Sequence, residues 1–252
     1  MSKHSSSTTM LGDQQQQPTP TTMSTQPSSP IIVHHLNNSR SQRILWLLEE
    51  LNLPYEIKHY RRGSDQRAPK ELEAVHSLGK SPVITDGARV VAESGAIIEY
   101  IVDKYGKALK PAPGSDDALQ YTHWMHFAEG SLMPPLLMTL VFSSVVKQVP
   151  FFIRPVASAI ASGVHAKLID PDLARIGAYI ERELSKTDYF AGNQFSAADI
   201  QMSFPLEAAA SRASSFLGPK TVEFVKKIHA RPAYQRALEK GGEYAYADKM
   251  PC

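Results

Sequence analysis

Apolar and polar positions change period several times along this chain, and each change marks an element. Ile31-Ile32-Val33 reads as a first strand. Ile44, Leu47, Leu48 and Leu51 then recur at i, i+3, i+4 and i+7, the stripe of a helix, with Asn37, Asn38 and Ser39 ahead of it as good capping types. Pro54–Tyr60 predicts a second strand. Arg67-Ala68-Pro69 predicts the start of a second helix, because a proline near a helix's beginning loses an N–H that had no partner anyway. Pro82-Val83-Ile84 and Ala88–Ala92 read as two strands joined at Asp86-Gly87, the tight turn of an antiparallel hairpin. Ser94 then opens an amphipathic helix with Ile97, Ile98 and Ile101 on its apolar face.

Beyond this unit the pattern becomes helical throughout. Gly106 to Asp117 is charged, poorly periodic and punctuated by Pro111, Pro113 and Gly114, so residues 107–118 read as a linker between domains 31–106 and 119–252. Tyr121, Trp124, Met125 and Ala128 fall on one helix face. Leu132–Val146 carries no charge but spans only 15 residues, short of the roughly 20 a membrane-spanning helix needs, and predicts a buried helix with an apolar pocket wall. Ser196-Ala-Ala-Asp199 ahead of Ile200, Met202 and Phe204 is a capping box, a folding signal. Residues 1–30 are rich in Ser, Thr, Gln and Pro with almost nothing apolar, which predicts a disordered tail; it contains no arginine and no continuous apolar core, unlike a targeting sequence.

Composition narrows the chemistry. With 27 basic and 25 acidic residues the formal net charge is +2, which gives no reason to expect a nucleic-acid partner. The single cysteine is Cys252, the last residue, so no internal disulfide, C-x-x-C motif or cysteine nucleophile is expected, and Cys252 is not placed for prenylation. Any thiol chemistry must use a sulfur the ligand brings. His123, His126 and Glu129 share a helix face, but no second cluster completes a ligand set, so no metal site is expected.

The stretch from Leu78 to Tyr105 concentrates the binding signals. Pro82 at the head of a strand has no N–H and is a candidate for a cis bond, and Val83 beside it could offer its N–H and C=O to an extended peptide. Glu93 and Ser94 stand where a helix N-terminus directs N–H groups at a carboxylate. Together they describe a dock for a small peptide with an amine and a carboxylate.

The ordered set S-P-V, D-G and E-S-G resembles the glutathione-binding half of the cytosolic glutathione transferases, and Y-F-A-G-N-Q-F-S-A-A-D-I and the segment Ala230–Leu238 resemble that family's helical half. The resemblance covers Ile31 to about Lys240 and is nearest to theta-like fungal and bacterial members. It implies a thioredoxin-like α/β domain followed by an all-helical domain, a homodimer, and glutathione as co-substrate. Pro82 and Val83 would pair with the cysteinyl backbone, Glu93 and Ser94 would hold the γ-glutamyl end, and Arg67 and Lys80 would face the glycyl carboxylate. Ser77 departs from the family's usual proline and suggests a looser turn there. Ser39 is the first choice for the hydroxyl that donates to the sulfur, with Asn38 and Ser41 as alternatives in the same loop; Arg40 and Arg43 read as a solvated or salt-bridged helix face. A thiol of pKa near 8.5 is mostly protonated at neutral pH, and lowering it by about two units takes roughly 2.7 kcal/mol of differential stabilisation. Trp124, Met125 and Met133 are candidates for the wall of the electrophile pocket.

The expected reaction is conjugation of the glutathione thiolate to small hydrophobic electrophiles, with reduction of organic hydroperoxides as a second activity. A non-catalytic binding or regulatory protein on the same fold, and a glutathione-dependent isomerase or lyase, are the competing readings. The location expected is cytoplasmic, with peripheral contact at a membrane such as the endoplasmic reticulum through Leu132–Val146 and Val149–Ile160 as the subsidiary expectation.

Overall fold

The computed structural model describes residues 26–247; most of the expected tail 1–30, and Cys252, lie outside the described residues. Strand β1 (Ile31–Leu36) runs parallel to β2 (Tyr55–Tyr60) through helix α1 (Gln42–Glu50), and β3 (Val83–Asp86) and β4 (Arg89–Ala92) form an antiparallel hairpin. The sheet order is β2-β1-β3-β4, with β1 antiparallel to β3 in the middle. Gly87 at φ +58° makes the hairpin turn that an L side chain would strain. Helix α2 (Ser94–Tyr105) completes the unit.

The strand period of two gives the sheet two different faces. Ile31 and Val33 join the main core under α1 and α2, whereas Leu36 packs with Tyr60 and Leu72 in a small separate cluster on the other side. The second helix expected after Arg67 does not form. Only a single 3-10 turn, Lys70–Leu72, follows Pro69. The reason lies in the side chains: Leu72 is the only buried residue of that turn, and without an apolar stripe a short helix has little packing to offset its nucleation cost.

The helical domain comprises α3 (Asp116–Phe127), α4 (Met133–Gln148), α5 (Arg154–Val164), α6 (Asp170–Leu184), α7 (Ala197–Arg212), α8 (Pro219–His229) and α9 (Pro232–Gly241). One π-helical turn, Ala128–Leu132, joins α3 to α4, and another, His165–Ile169, joins α5 to α6. Ser115 starts α3 by accepting from the Ala118 N–H. Helix α7 is the axle of the domain, buried from Ala197 to Ala210. Asp199 secures its first turn, accepting from the backbone N–H groups of Ser196 at 2.8 Å and Phe190 at 2.9 Å.

Two seams lock the halves together. Gly241 lets α9 press on α1, where an added Cβ would sit 2.6 Å from Gln42 Oε1. Around it, Arg236 and Lys240 donate to Glu49, and Arg231 to Glu50, at 2.5–2.9 Å. On the opposite side Arg43, fully buried, donates to the Gln201 carbonyl at 2.6 Å and pairs with Glu129. Helix α4 departs from the buried helix expected over Leu132–Val146. Met133, Pro135, Leu136 and Thr139 are buried, but the outer half and all of α5 stand out of the core.

Candidate functional site

Between the sheet's edge loops and α4 lies a cleft of about 740 Å³. Its walls bring together Arg67, Lys80, Ser81, Pro82, Glu93 and Ser94 from the first domain with Glu129 and Leu137 from the second. Five of the binding residues expected from the sequence, Arg67, Lys80, Pro82, Glu93 and Ser94, therefore share one cavity although 27 positions separate the first from the last. Arg62 joins Arg67 and Lys80 in supplying cations to the lining, and Glu93 and Ser94 bring the N-terminus of α2 to it.

That N-terminus carries the most specific feature. Glu93 sits at φ +71°, ψ 127°, a conformation costing a non-glycine residue on the order of 1–3 kcal/mol. The bend starts α2 at the cleft wall, which Glu93 and Ser94 both line. Ser94 is 4% exposed, yet its hydroxyl has no hydrogen-bond partner among the described residues. A buried hydroxyl without a partner is costly, and here it faces a polar cleft beside free helical N–H groups. The arrangement suits a carboxylate.

The Ser81–Pro82 bond is cis. Val83, however, stands behind the cleft: it is fully buried, and β3 is flanked on both sides at this position, by His34 of β1 and Ala92 of β4. Its N–H and C=O belong to the sheet. The residue left outside the ladder and inside the cleft is Ser81, which the sequence reading passed over although it immediately precedes the proline.

Ser39 is also recessed. It is 4% exposed and lies 3.4 Å from Ser81 Oγ, so Ser81 stands between it and the open cleft. Behind it runs a short chain of hydroxyls, with Ser39 Oγ 2.8 Å from Ser41 Oγ and Ser41 Oγ 2.9 Å from His35 Nδ1. Burial, with help from His59, lowers the His35 pKa to about 4, and a hydrogen bond to the Gly241 carbonyl opposes the shift only in part. His35 is therefore neutral near pH 7. In the tautomer protonated on Nε2, Nδ1 accepts from Ser41, whose hydroxyl also lies 3.4 Å from the Leu36 carbonyl, and Ser39 is then the donor in the Ser39–Ser41 contact. The Ser41 amide donates back to Ser39 Oγ at 3.2 Å. The third polar residue of the loop, Asn38, has its side-chain carbonyl taken by the Ala245 N–H at 2.7 Å. Of the three, Ser41 is held by His35, whereas Ser39 Oγ and the side-chain NH2 of Asn38, whose bond to Ala245 uses only the oxygen, each keep a proton to donate without breaking a bond to histidine or to the C-terminal segment.

Arg40 and Glu129 form the cleft's inner wall. Both oxygens of Glu129 accept from Arg40 Nε at 3.1 Å, and Arg43 pairs with the same carboxylate from below. Burial pushes the Glu129 carboxyl up, but the charges of Arg43 and Arg40 outweigh it and hold the group below the ordinary glutamate range. Arg43 is salt-bridged as expected but buried, not solvated. Only the folded chain reveals these partners, because Glu129 is 89 positions from Arg40.

The three electrophile-wall candidates scatter. Trp124 is fully buried, stacked on Tyr179 at 5.3 Å with Phe190 at 4.5 Å. Met133 is core, and Met125 faces a second cavity of about 810 Å³ between α2 and α3. The face of this helix that meets the cleft is instead Glu129 and, two turns on, Leu137. His123 bonds Tyr179 at 3.0 Å, and no cluster suited to a metal occurs among the described residues.

Comparison with known proteins agrees with this geometry. Residues 29–103 match the glutathione S-transferase N-terminal domain and residues 166–232 the C-terminal domain. Glutathione S-transferase 3 of Schizosaccharomyces pombe is 41% identical over 83% of this chain and 87% of its own. Glutathione S-transferase 1 of Saccharomyces cerevisiae is 35% identical over 84% of this chain and 96% of its own. A glutathione S-transferase structure from Actinobacillus pleuropneumoniae superposes with a TM-score of 0.67 at 30% identity, covering 87% of this chain and 95% of that one. With both domains matched in order and two relatives above 30% identity over most of their length, the chain belongs to the glutathione S-transferase family, enzymes that use glutathione as co-substrate.

Proposed function

We propose that the cleft holds glutathione in one orientation and conjugates it to hydrophobic electrophiles, as in theta-like members of the family. The observation that carries this reading is the unpartnered, buried Ser94 hydroxyl at the N-terminus of α2. Ser94 and the adjacent N–H groups take the γ-glutamyl carboxylate, while the Glu93 carboxylate meets the amine. Arg67 and Lys80, cations of the same lining, face the glycyl carboxylate. Ser81, not the sheet-bound Val83, is the residue whose backbone is free to run alongside the cysteinyl unit.

Glutathione supplies the nucleophilic sulfur. Ser39 turns its proton from Ser41 toward that sulfur, past Ser81, and favours the thiolate over the thiol. Ser41 and His35 keep Ser39 in place, since Ser41 remains committed to His35. Arg40, braced by Glu129 and lying 5.1 Å from the Phe204 ring centre, adds positive potential on the same side. The electrophile rests against Leu137. The same thiolate reduces organic hydroperoxides as a second activity, and the working enzyme is a cytoplasmic homodimer.

The test is steady-state conjugation of an activated aryl halide by wild type, Ser39→Ala and Ser94→Ala. Ser39→Ala should lower kcat by about ten- to a hundredfold, the loss of roughly two pKa units of thiolate stabilisation. Ser94→Ala should raise the KM for glutathione by about tenfold or more with a smaller change in kcat, as expected for a lost hydrogen bond to a charged group. Unchanged turnover in the first variant removes Ser39 from its role; unchanged KM in the second removes the carboxylate site.

A further inference from the structure

Outside the cleft, one surface lacks any counterpart in the protein. Beyond Thr139, helix α4 leaves the core, turns at Val149–Ile153 and returns as α5, which buries no side chain. Of the thirteen large apolar side chains exposed among the described residues, ten lie between Leu137 and Leu168. The tip is the extreme case: Phe151 is 78% and Phe152 69% exposed, their rings 5.7 Å apart and perpendicular. On the shafts Val145, Val156 and Ile160 are also exposed. A patch of this kind marks an interaction site more often than an accident of folding.

Charge shows what covers it. From Gly130 to Ile169 the sequence contains no aspartate or glutamate, yet Lys147, Arg154 and Lys167 are present and exposed. None of the three enters an ion pair among the described residues; Arg154 meets only the Val149 carbonyl, at 3.4 Å. A second copy of the chain packed tip to tip would bring these cations against their own kind with no acid to separate them. A bilayer surface with anionic headgroups supplies both the apolar phase and the missing negative charge.

We propose that the α4–α5 hairpin docks on an anionic lipid bilayer, seating Phe151 and Phe152 at the acyl boundary while Lys147, Arg154 and Lys167 meet headgroups. The contact is peripheral. Although Asp116–Gln148 forms one continuous helix of 33 residues, long and apolar enough to cross a membrane, the part up to Leu136 buries Trp124, Leu132 and Leu136 in the domain core and cannot leave it. Leu137, 52% exposed, belongs both to the cleft wall and to the apolar hairpin. Electrophiles dissolved in the bilayer therefore have an apolar path to the cleft; this last clause rests on the function proposed above.

Flotation of the full chain with phosphatidylcholine vesicles, with and without phosphatidylserine, tests the docking. Wild type should rise with the phosphatidylserine vesicles and much less with the neutral ones. Phe151→Ser combined with Phe152→Ser should cut partitioning by about tenfold or more, since burial of either ring is worth at least that factor. Lys147→Glu combined with Arg154→Glu should abolish the preference for phosphatidylserine. No flotation of wild type, or flotation of the serine variant equal to wild type, overturns the proposal. So does a fall in the serine variant's mass by light scattering, which would assign the tip to a second copy. Calorimetric titration with glutathione in the same preparations reports on the cleft separately: intact binding with no flotation sinks the docking and leaves the cleft reading standing.

Discussion

The glutathione cleft and the α4–α5 hairpin meet at Leu137, and their side chains answer to different partners. Around the cleft most polar groups are answered from within the chain: Glu129 by two arginines, His35 by Ser41 and Gly241, Asn38 by Ala245. The Ser94 hydroxyl, in the cleft lining, is buried and answered by none of the described residues. Along the hairpin the reverse holds, with apolar groups exposed and cations unpaired. Internal satisfaction that leaves a buried hydroxyl unanswered at a helix N-terminus suits a small ligand. Wholesale dissatisfaction defines a large, soft one.

The comparison can be broken first where satisfaction is densest. Asp199→Ala would strand the buried N–H groups of Ser196 and Phe190 and should cost about 4 kcal/mol in urea unfolding. A loss under about 1 kcal/mol would mean that α7 does not depend on its first turn. The next effect is on pH. His35 has an unfolded-state pKa of about 6.5 and a folded value lowered to about 4, so the unfolded chain binds the extra proton first. Its contribution to stability is fully present above pH 6.5 and is lost as pH falls toward 4, by about 3 kcal/mol. Wild type should therefore lose stability faster than His35→Gln across that interval; parallel curves would show that His35 is not held neutral. The smallest effect belongs to the hairpin. Phe152→Ser should change the unfolding free energy by no more than about 0.5 kcal/mol, because the ring already lies in water in the isolated chain. A loss of several kcal/mol would mean that the ring packs within the protein.

The parts of the site that were legible are local. Pro82, the Asp86-Gly87 turn and the Glu93-Ser94 helix start lie within 13 residues, and each reports its backbone geometry through its own chemistry. The capping box at Ser196 and Asp199 was readable for the same reason. The second helix is absent because proline at a helix start permits a helix without stabilising one, and after Pro69 only Leu72 finds a core. Trp124 and Met133 are core, not pocket wall, because periodicity shows which residues share a face, not what that face meets. For α3 it meets α7 and a cluster of aromatic rings.

From the sequence alone came the order of elements apart from the second helix, and the dependence on a borrowed sulfur, since Cys252 is the chain's one thiol. These follow from short-range rules in which a residue and its neighbours suffice. Tertiary structure alone decided that Val83 is closed off by strands on both sides, that Ser81 fronts Ser39, that Glu129 braces Arg40, and that the most apolar helix is half uncovered. Each of those depends on groups brought together from distant parts of the chain, and a one-dimensional pattern of polar and apolar residues carries no record of which distant surface comes to cover it.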